Sequence, residues 1–198
     1  MNFSNEKGKG DFEMRPRYVC CHPNVQGTGA SVKFELHPAH DYVEGSVFAT
    51  FASQKTVASH VDGRQVYPTF DWENSVTIRL TINEVAEMLE VFRGYREKMG
   101  DGKGLFHVSD HANTVIKLEH RLEPFPGYSF GVSRKRADGS VKRIRLFLTM
   151  TEAIVLSEAM ASSMLYMAFG IPKVIQRAER RDEHGKGREA PVKEAAVA

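Results

Sequence analysis

The stretch Leu80-Thr81-Ile82-Asn83-Glu84 returns 68 positions further on as Leu148-Thr149-Met150-Thr151-Glu152. The likeness reaches upstream, where Val76, Ile78 and Leu80 fall on Ile144, Leu146 and Leu148, every second residue apolar in both. At the same offset Val47-Phe48 falls on Val115-Ile116. Each copy therefore runs from strands of period two into Thr-x-x-Glu, the reciprocal cap that opens a helix. A duplicated unit constrains the fold more than any single motif, because each copy buries its apolar face against its neighbour. Two copies make one continuous surface.

The chain of 198 residues is long enough for a real core. Its 41% hydrophobic and 26% charged residues are those of a globular protein, and a net charge of +2 demands no polyanionic partner by itself. The placement of the charge is what carries information. The two cysteines are neighbours, Cys20-Cys21, which gives no disulfide framework and fits a reducing compartment. Residues 1–17 are polar and charged, unlike a signal peptide. Ala153 to Phe169 is apolar but short for a membrane span and carries Glu158 and three serines, so a buried helix is expected there. The expected setting is cytoplasmic, with no membrane contact.

The expected fold class is α+β, a tandem duplication of a four-stranded antiparallel sheet plus helix (ββββα-ββββα). Residues 1–29, rich in glycine and proline, read as an irregular arm, and 173–198 as a charged, disordered tail. The folded part spans 30–172, as two repeats over 30–102 and 103–172. In the first, strands are expected at Ser31 to His37, Ser46 to Ala52, Arg64 to Trp72 and Ser75 to Leu80, the last two joined across Glu73-Asn74. A helix follows from Ile82 to Met99, ended by Gly100-Asp101-Gly102. In the second, strands are expected at Leu105 to Ser109, Thr114 to Leu122, Tyr128 to Arg136 and Val141 to Leu148. Asp138-Gly139 closes the last hairpin. Its helix begins after Thr149 and stops at Gly170, with Pro172 beyond.

The first helix is amphipathic, with Glu84, Glu87, Glu90, Arg93, Arg96 and Glu97 outward. The second is apolar nearly all round, with Ile154, Val155, Leu156, Met160, Met164, Leu165, Met167 and Phe169. Such a helix must be covered on every side, so a homo-oligomer through residues 150–169 is expected. The alternative is that the two helices bury each other within one molecule.

The sharpest charge feature is the hairpin from Arg134 to Arg145, with six basic residues and one acid. Alternation that sends Ile144, Leu146 and Leu148 to the core turns Arg143, Arg145 and Phe147 outward. Arg134 and Arg136 on the facing strand add to this row. Guanidinium groups meet phosphates and a planar ring stacks on unpaired bases, which is the chemistry of a nucleic-acid surface. In the first copy the same registry turns Thr77 and Arg79 outward. Lys33 and Lys55 add charge there, and Phe51, on the face opposite Phe48, is a candidate stacking ring. Tyr128 and Phe130 are assigned to core packing. The plainer reading of the charges is that they solvate or guard sheet edges.

Histidines give no ligand set with the spacing a metal needs, although His37-Pro38-Ala39-His40-Asp41 has the residue types. No phosphate-binding glycine loop or nucleophile elbow occurs, so no catalytic residue, cofactor or metal is expected.

Two tandem units with a basic sheet face and an apolar terminal helix resemble the Whirly-type single-stranded-DNA-binding proteins. That wider group includes the coactivator called positive cofactor four, and the PUR-repeat proteins have a related plan. The residues carrying the resemblance are Val76 to Glu84, Ile144 to Glu152 and the hairpin Arg134 to Arg145. It implies binding of single-stranded DNA or RNA along the sheet face, with little sequence preference, in replication, recombination, repair or transcription. It also implies oligomers formed through the helices. The plant members carry a lysine- and alanine-rich strand motif; here Ser46-Val47-Phe48-Ala49-Thr50-Phe51-Ala52 stands in its place. That departure points to a distant, bacterial or phage-like, nucleoid-associated relative. Two other readings stand beside this one: an RNA-binding or annealing protein on the same fold, and a self-associating scaffold for protein partners.

Overall fold

The computed structural model describes residues 16–171, and the chain builds two four-stranded antiparallel sheets, each followed by a helix. The first sheet is a meander of β1 (Arg17–His22), β2 (Ala30–His37), β3 (Ser46–Ser53) and β6 (Val76–Leu80). Between β3 and β6 the chain makes an excursion through a small ribbon, β4 (Ser59–Val61) against β5 (Arg64–Val66). The helix α1 (Ile82–Phe92) follows. The second sheet is the meander β7 (Leu105–Ser109), β8 (Ala112–Arg121), β9 (Gly127–Arg136) and β10 (Val141–Thr149), followed by α2 (Met150–Phe169). This is the duplicated α+β architecture that the sequence implied.

The repeated sequence produces repeated local structure. In β6, Val76, Ile78 and Leu80 are buried while Thr77 and Arg79 are exposed. In β10, Ile144, Leu146 and Leu148 are buried while Arg143 and Arg145 are exposed. Both helices open with complete capping boxes. The Thr81 backbone N–H donates to Glu84 Oε2 at 2.8 Å, and that of Thr149 to Glu152 Oε2 at 2.9 Å. Each cap is worth about 1 kcal/mol, and each fixes the angle at which strand turns into helix.

One core serves both copies. Phe34 on β2 and Phe51 on β3 meet Phe130 on β9, with ring centroids 5.9 and 4.9 Å apart, so the inner faces of the two sheets close on each other. The helices pack together, and α2 adds Ala153, Leu156, Met160 and Met167 to the same core. Tyr128 and Phe130 are core residues, as alternation indicated.

Four details depart from the sequence reading. The expected arm over 1–29 contains β1, whose Cys20 is buried in the core; residues 1–15 and the tail 173–198 lie outside the described residues. The expected strand Arg64 to Trp72 is not one strand of the sheet: Arg64–Val66 pairs with β4, and Phe70 alone bridges to Gln54, just past the end of β3. β1 supplies the missing fourth strand. The first helix ends at Phe92, not near Met99. Gly94 takes a φ of 76°, left-handed backbone that glycine adopts without strain, and the chain to Met99 is irregular. Finally, Val47-Phe48 is not the counterpart of Val115-Ile116. β3 is third in its meander and so matches β9, while β8 is second and matches β2. The inserted ribbon makes the offset unequal along the repeat.

Candidate nucleic-acid interface

The outward face of the second sheet is built by alternation on β8, β9 and β10. Register places Lys117 beside Gly131 and Gly131 beside Arg145, and one step along it places Val115, Ser133 and Arg143 in line. These small central residues leave a groove of about 810 Å³ floored by β9. Five cations line it, Lys103, Lys117, Arg121, Arg143 and Arg145, with Glu119 as the one carboxylate. Phe106 on β7 also lines it and is 62% exposed.

Glu119 neutralises only Arg121 of this set. Its carboxylate lies 2.8 Å from Lys98 Nζ and 3.3 Å from Arg121, and the hydrogen bond from Lys98 holds its pKa below the usual range. Lys117, Arg143 and Arg145 form no ion pair with another described residue. A wide groove with unneutralised cations and an exposed ring can hold a flexible polyanion bearing planar groups.

Gly131 keeps the middle of the groove open. A Cβ there would lie 3.0 Å from the Ile144 carbonyl and 3.2 Å from the Arg145 side chain. The Arg145 stem can therefore lie across the strand instead of standing away from it.

The structure sorts the sequence candidates into three groups. Arg143 and Arg145 line the groove together. Phe147 shares their face, but its ring packs over Gly127 and is half-buried rather than bare. Lys33 and Arg79 lie on the outer face of the first sheet. Lys33 Nζ is 2.7 Å from Glu35, and Arg79 donates to the Glu44 carbonyl at 3.2 Å. Lys55 is exposed beyond the end of β3 and lines neither groove.

The remaining candidates need correction. Phe51 is fully buried against Phe130; the outward ring of β3 is Phe48, which pairs with the outward Arg79. Arg134 sits on the inner side. The β9–β10 register sets it opposite Lys142, in phase with buried Ile144 rather than with Arg143. Its Nε donates to the Thr114 hydroxyl at 3.0 Å and its terminal nitrogen to the Thr77 carbonyl at 2.6 Å, joining the second sheet to the edge of the first. Burial lowers its pKa, as expected of a strut. Lys142 makes a similar bond to the Asn74 carbonyl. Arg136 shares the phase of Arg134 and stays exposed at the ribbon's tip.

Sequence reasoning missed Lys117, Lys103, Arg121 and Phe106. Lys117 was legible, because it lies between Ile116 and Leu118, both of which face the core. Phe106 was not, since only the pairing of β7 with β8 carries it to the groove, and Lys103 lies in the turn just before β7. Among the described residues no three metal-ligating side chains come together, and no helix is long and apolar enough to cross a membrane.

No family model matches this sequence, and no curated protein matches it either. Solved structures do. WHY1 from Arabidopsis thaliana superposes with a TM-score of 0.58 at 16% identity, covering 91% of this chain and all of that one. WHY3 from the same plant gives 0.58 at 19% identity, covering 85% of this chain and 99% of that one. At such identities the likeness establishes the fold, and it extends over nearly the whole of both chains.

Proposed function

We propose that this chain, Whirly-like in fold, is a non-enzymatic protein that binds single-stranded nucleic acid, DNA in the first place, with little sequence preference. The observation that carries the reading is the outer groove of the second sheet. Arg143, Arg145 and Lys117 stand there outside any ion pair with a described residue, beside the exposed ring of Phe106. Phosphates meet the cations and unpaired bases stack on the ring, so sequence matters little. A duplex has no bare base faces to offer such a ring. The role that fits is protection or presentation of exposed strands in replication, recombination, repair or transcription.

Self-association belongs to the same reading. α2 turns Ala153, Leu156 and Met160 inward and leaves Ile154, Leu165 and Phe169 at 62%, 60% and 81% exposure. A second copy is the natural cover for that apolar stripe, and it would multiply the grooves available to one strand.

The test is fluorescence anisotropy of a labelled thymidine oligomer over a range of salt. Affinity should fall steeply with salt, and Arg143→Ala with Arg145→Ala should lower the magnitude of the log–log slope by about 1.4, roughly 0.7 for each phosphate left without its cation. Unchanged affinity and slope in a folded double variant would exclude the groove as the binding surface. A competing uridine oligomer of equal length separates DNA from RNA preference.

A further inference from the structure

The duplication supplies an internal comparison, because the outer face of the first sheet descends from the same pattern as the cationic groove. Matching β6 to β10 sets Ser75 against Arg143 and Thr77 against Arg145. Matching β2 to β8 sets Lys33 against Lys117 and Glu35 against Glu119. Where the second copy has the two groove arginines the first has hydroxyl residues, and its matching lysine is neutralised by Glu35 at 2.7 Å. Of the cations on this face, Lys33 is ion-paired and Arg79 is turned to the Glu44 carbonyl.

The face carries rings instead. The excursion between β3 and β6, absent from the second copy, brings Trp72 over the sheet, where it lines a groove of about 440 Å³ together with Phe48 and His37. The His37 and Phe48 rings lie with centroids 4.3 Å apart. Thr50 and Thr77 form the floor with hydroxyls 3.1 Å apart, and Ser75 adds another. Flat rings beside short hydroxyls, with no net charge, suit a planar, uncharged, hydrogen-bonding group.

We infer that this groove is a second subsite, which takes an unpaired nucleobase of a bound single strand, stacked on Trp72 and Phe48. The inference rests on the single-strand reading above. The two faces then divide the work: cations hold phosphates on one, and rings hold bases on the other. The energy of the ring site is insensitive to salt, whereas that of the cationic groove is not.

Trp72 is the only tryptophan in the chain, so its fluorescence reports on this groove alone. A titration with a thymidine oligomer should quench it, with a midpoint equal to that from anisotropy of the same oligomer. An abasic oligomer of equal length should bind by anisotropy without quenching. Phe48→Ala and Trp72→Ala should each weaken binding about fivefold or more, the loss of one stacked base, with an unchanged salt slope. Trp72→Phe, which keeps a ring and guards against a misfolded alanine variant, should restore most of the affinity. Anisotropy binding with unchanged Trp72 fluorescence, or ring variants that bind like the parent, would overturn the subsite and leave the cationic groove standing. No anisotropy change at low salt would overturn both.

Discussion

His107 Nε2 lies 2.5 Å from Glu84 Oε1, so the first strand of the second repeat holds the capping glutamate of the first repeat's helix. The reverse pairing also exists. His22 on β1 places Nε2 2.9 Å from Glu152 Oε1, in the cap of α2, although that buried nitrogen is out of line for a hydrogen bond. Each capping glutamate thus faces a histidine from the opposite copy, and the two repeats are crossed rather than merely stacked.

These crossed pairs predict acid sensitivity. Burial pushes the Glu84 carboxyl up, but hydrogen bonds from the Thr81 backbone, His107 and the Thr81 hydroxyl outweigh it and hold its pKa below the ordinary value. Glu152 behaves alike, with Thr149 and His22 opposing burial. The unfolded chain then binds more protons than the folded one in this range, so this stabilisation is present above the ordinary glutamate value and lost as pH falls through the lower folded values. Urea midpoints should drop as the pH is taken below about 4.3. Glu84→Gln with Glu152→Gln should make that drop shallower. An equally steep drop in the double variant would assign it to other carboxylates.

Arg134→Met should cost stability without touching the outer groove. The Thr77 carbonyl and Thr114 hydroxyl lose their donor, a loss of about 1–3 kcal/mol in urea unfolding. The salt slope of oligomer binding should stay at the parent value, in contrast to the Arg143/Arg145 double variant. A reduced slope would place Arg134 against phosphate after all.

Phe51→Ala should destabilise by about 3–5 kcal/mol, because its ring is wholly buried where the two sheets meet on Phe130. Chemical denaturation measures this directly. A loss under about 1 kcal/mol would contradict the position of Phe51 at the centre of the core.

Replacing Ile154 and Phe169 with lysine should convert any oligomer to monomer in sedimentation velocity while far-ultraviolet circular dichroism holds. Both are exposed, so the folded monomer has little to lose. An unchanged sedimentation coefficient for an oligomeric parent would move the interface off α2.

Much of the fold could be read along the chain because the signals are local. Thr81 to Glu84 and Thr149 to Glu152 announce helix starts within four residues, and Asp138-Gly139 announces a hairpin. Gly170 ends α2 where its position implied. The errors fall where the deciding partner is remote. β1 resembles a loop until β2 pairs with it, and Arg64 to Trp72 resembles one long strand although its two ends pair separately, with β4 and with Gln54. Trp72 could be counted from the sequence, but its place over the first sheet depends on how the whole excursion folds back.

Alternation by itself divided every ribbon into two sets of side chains, and the repeated caps fixed the order of strand and helix. On β3, where both sets carry apolar residues, it could not name which set faces inward, since that depends on what lies across the gap. Packing on Phe130 drew Phe51 in and turned Phe48 out, and the register opposite Lys142 put Arg134 on the side of Thr77 rather than beside Arg145. A period of two is a property of the backbone, whereas inside and outside are properties of the assembled pair of sheets.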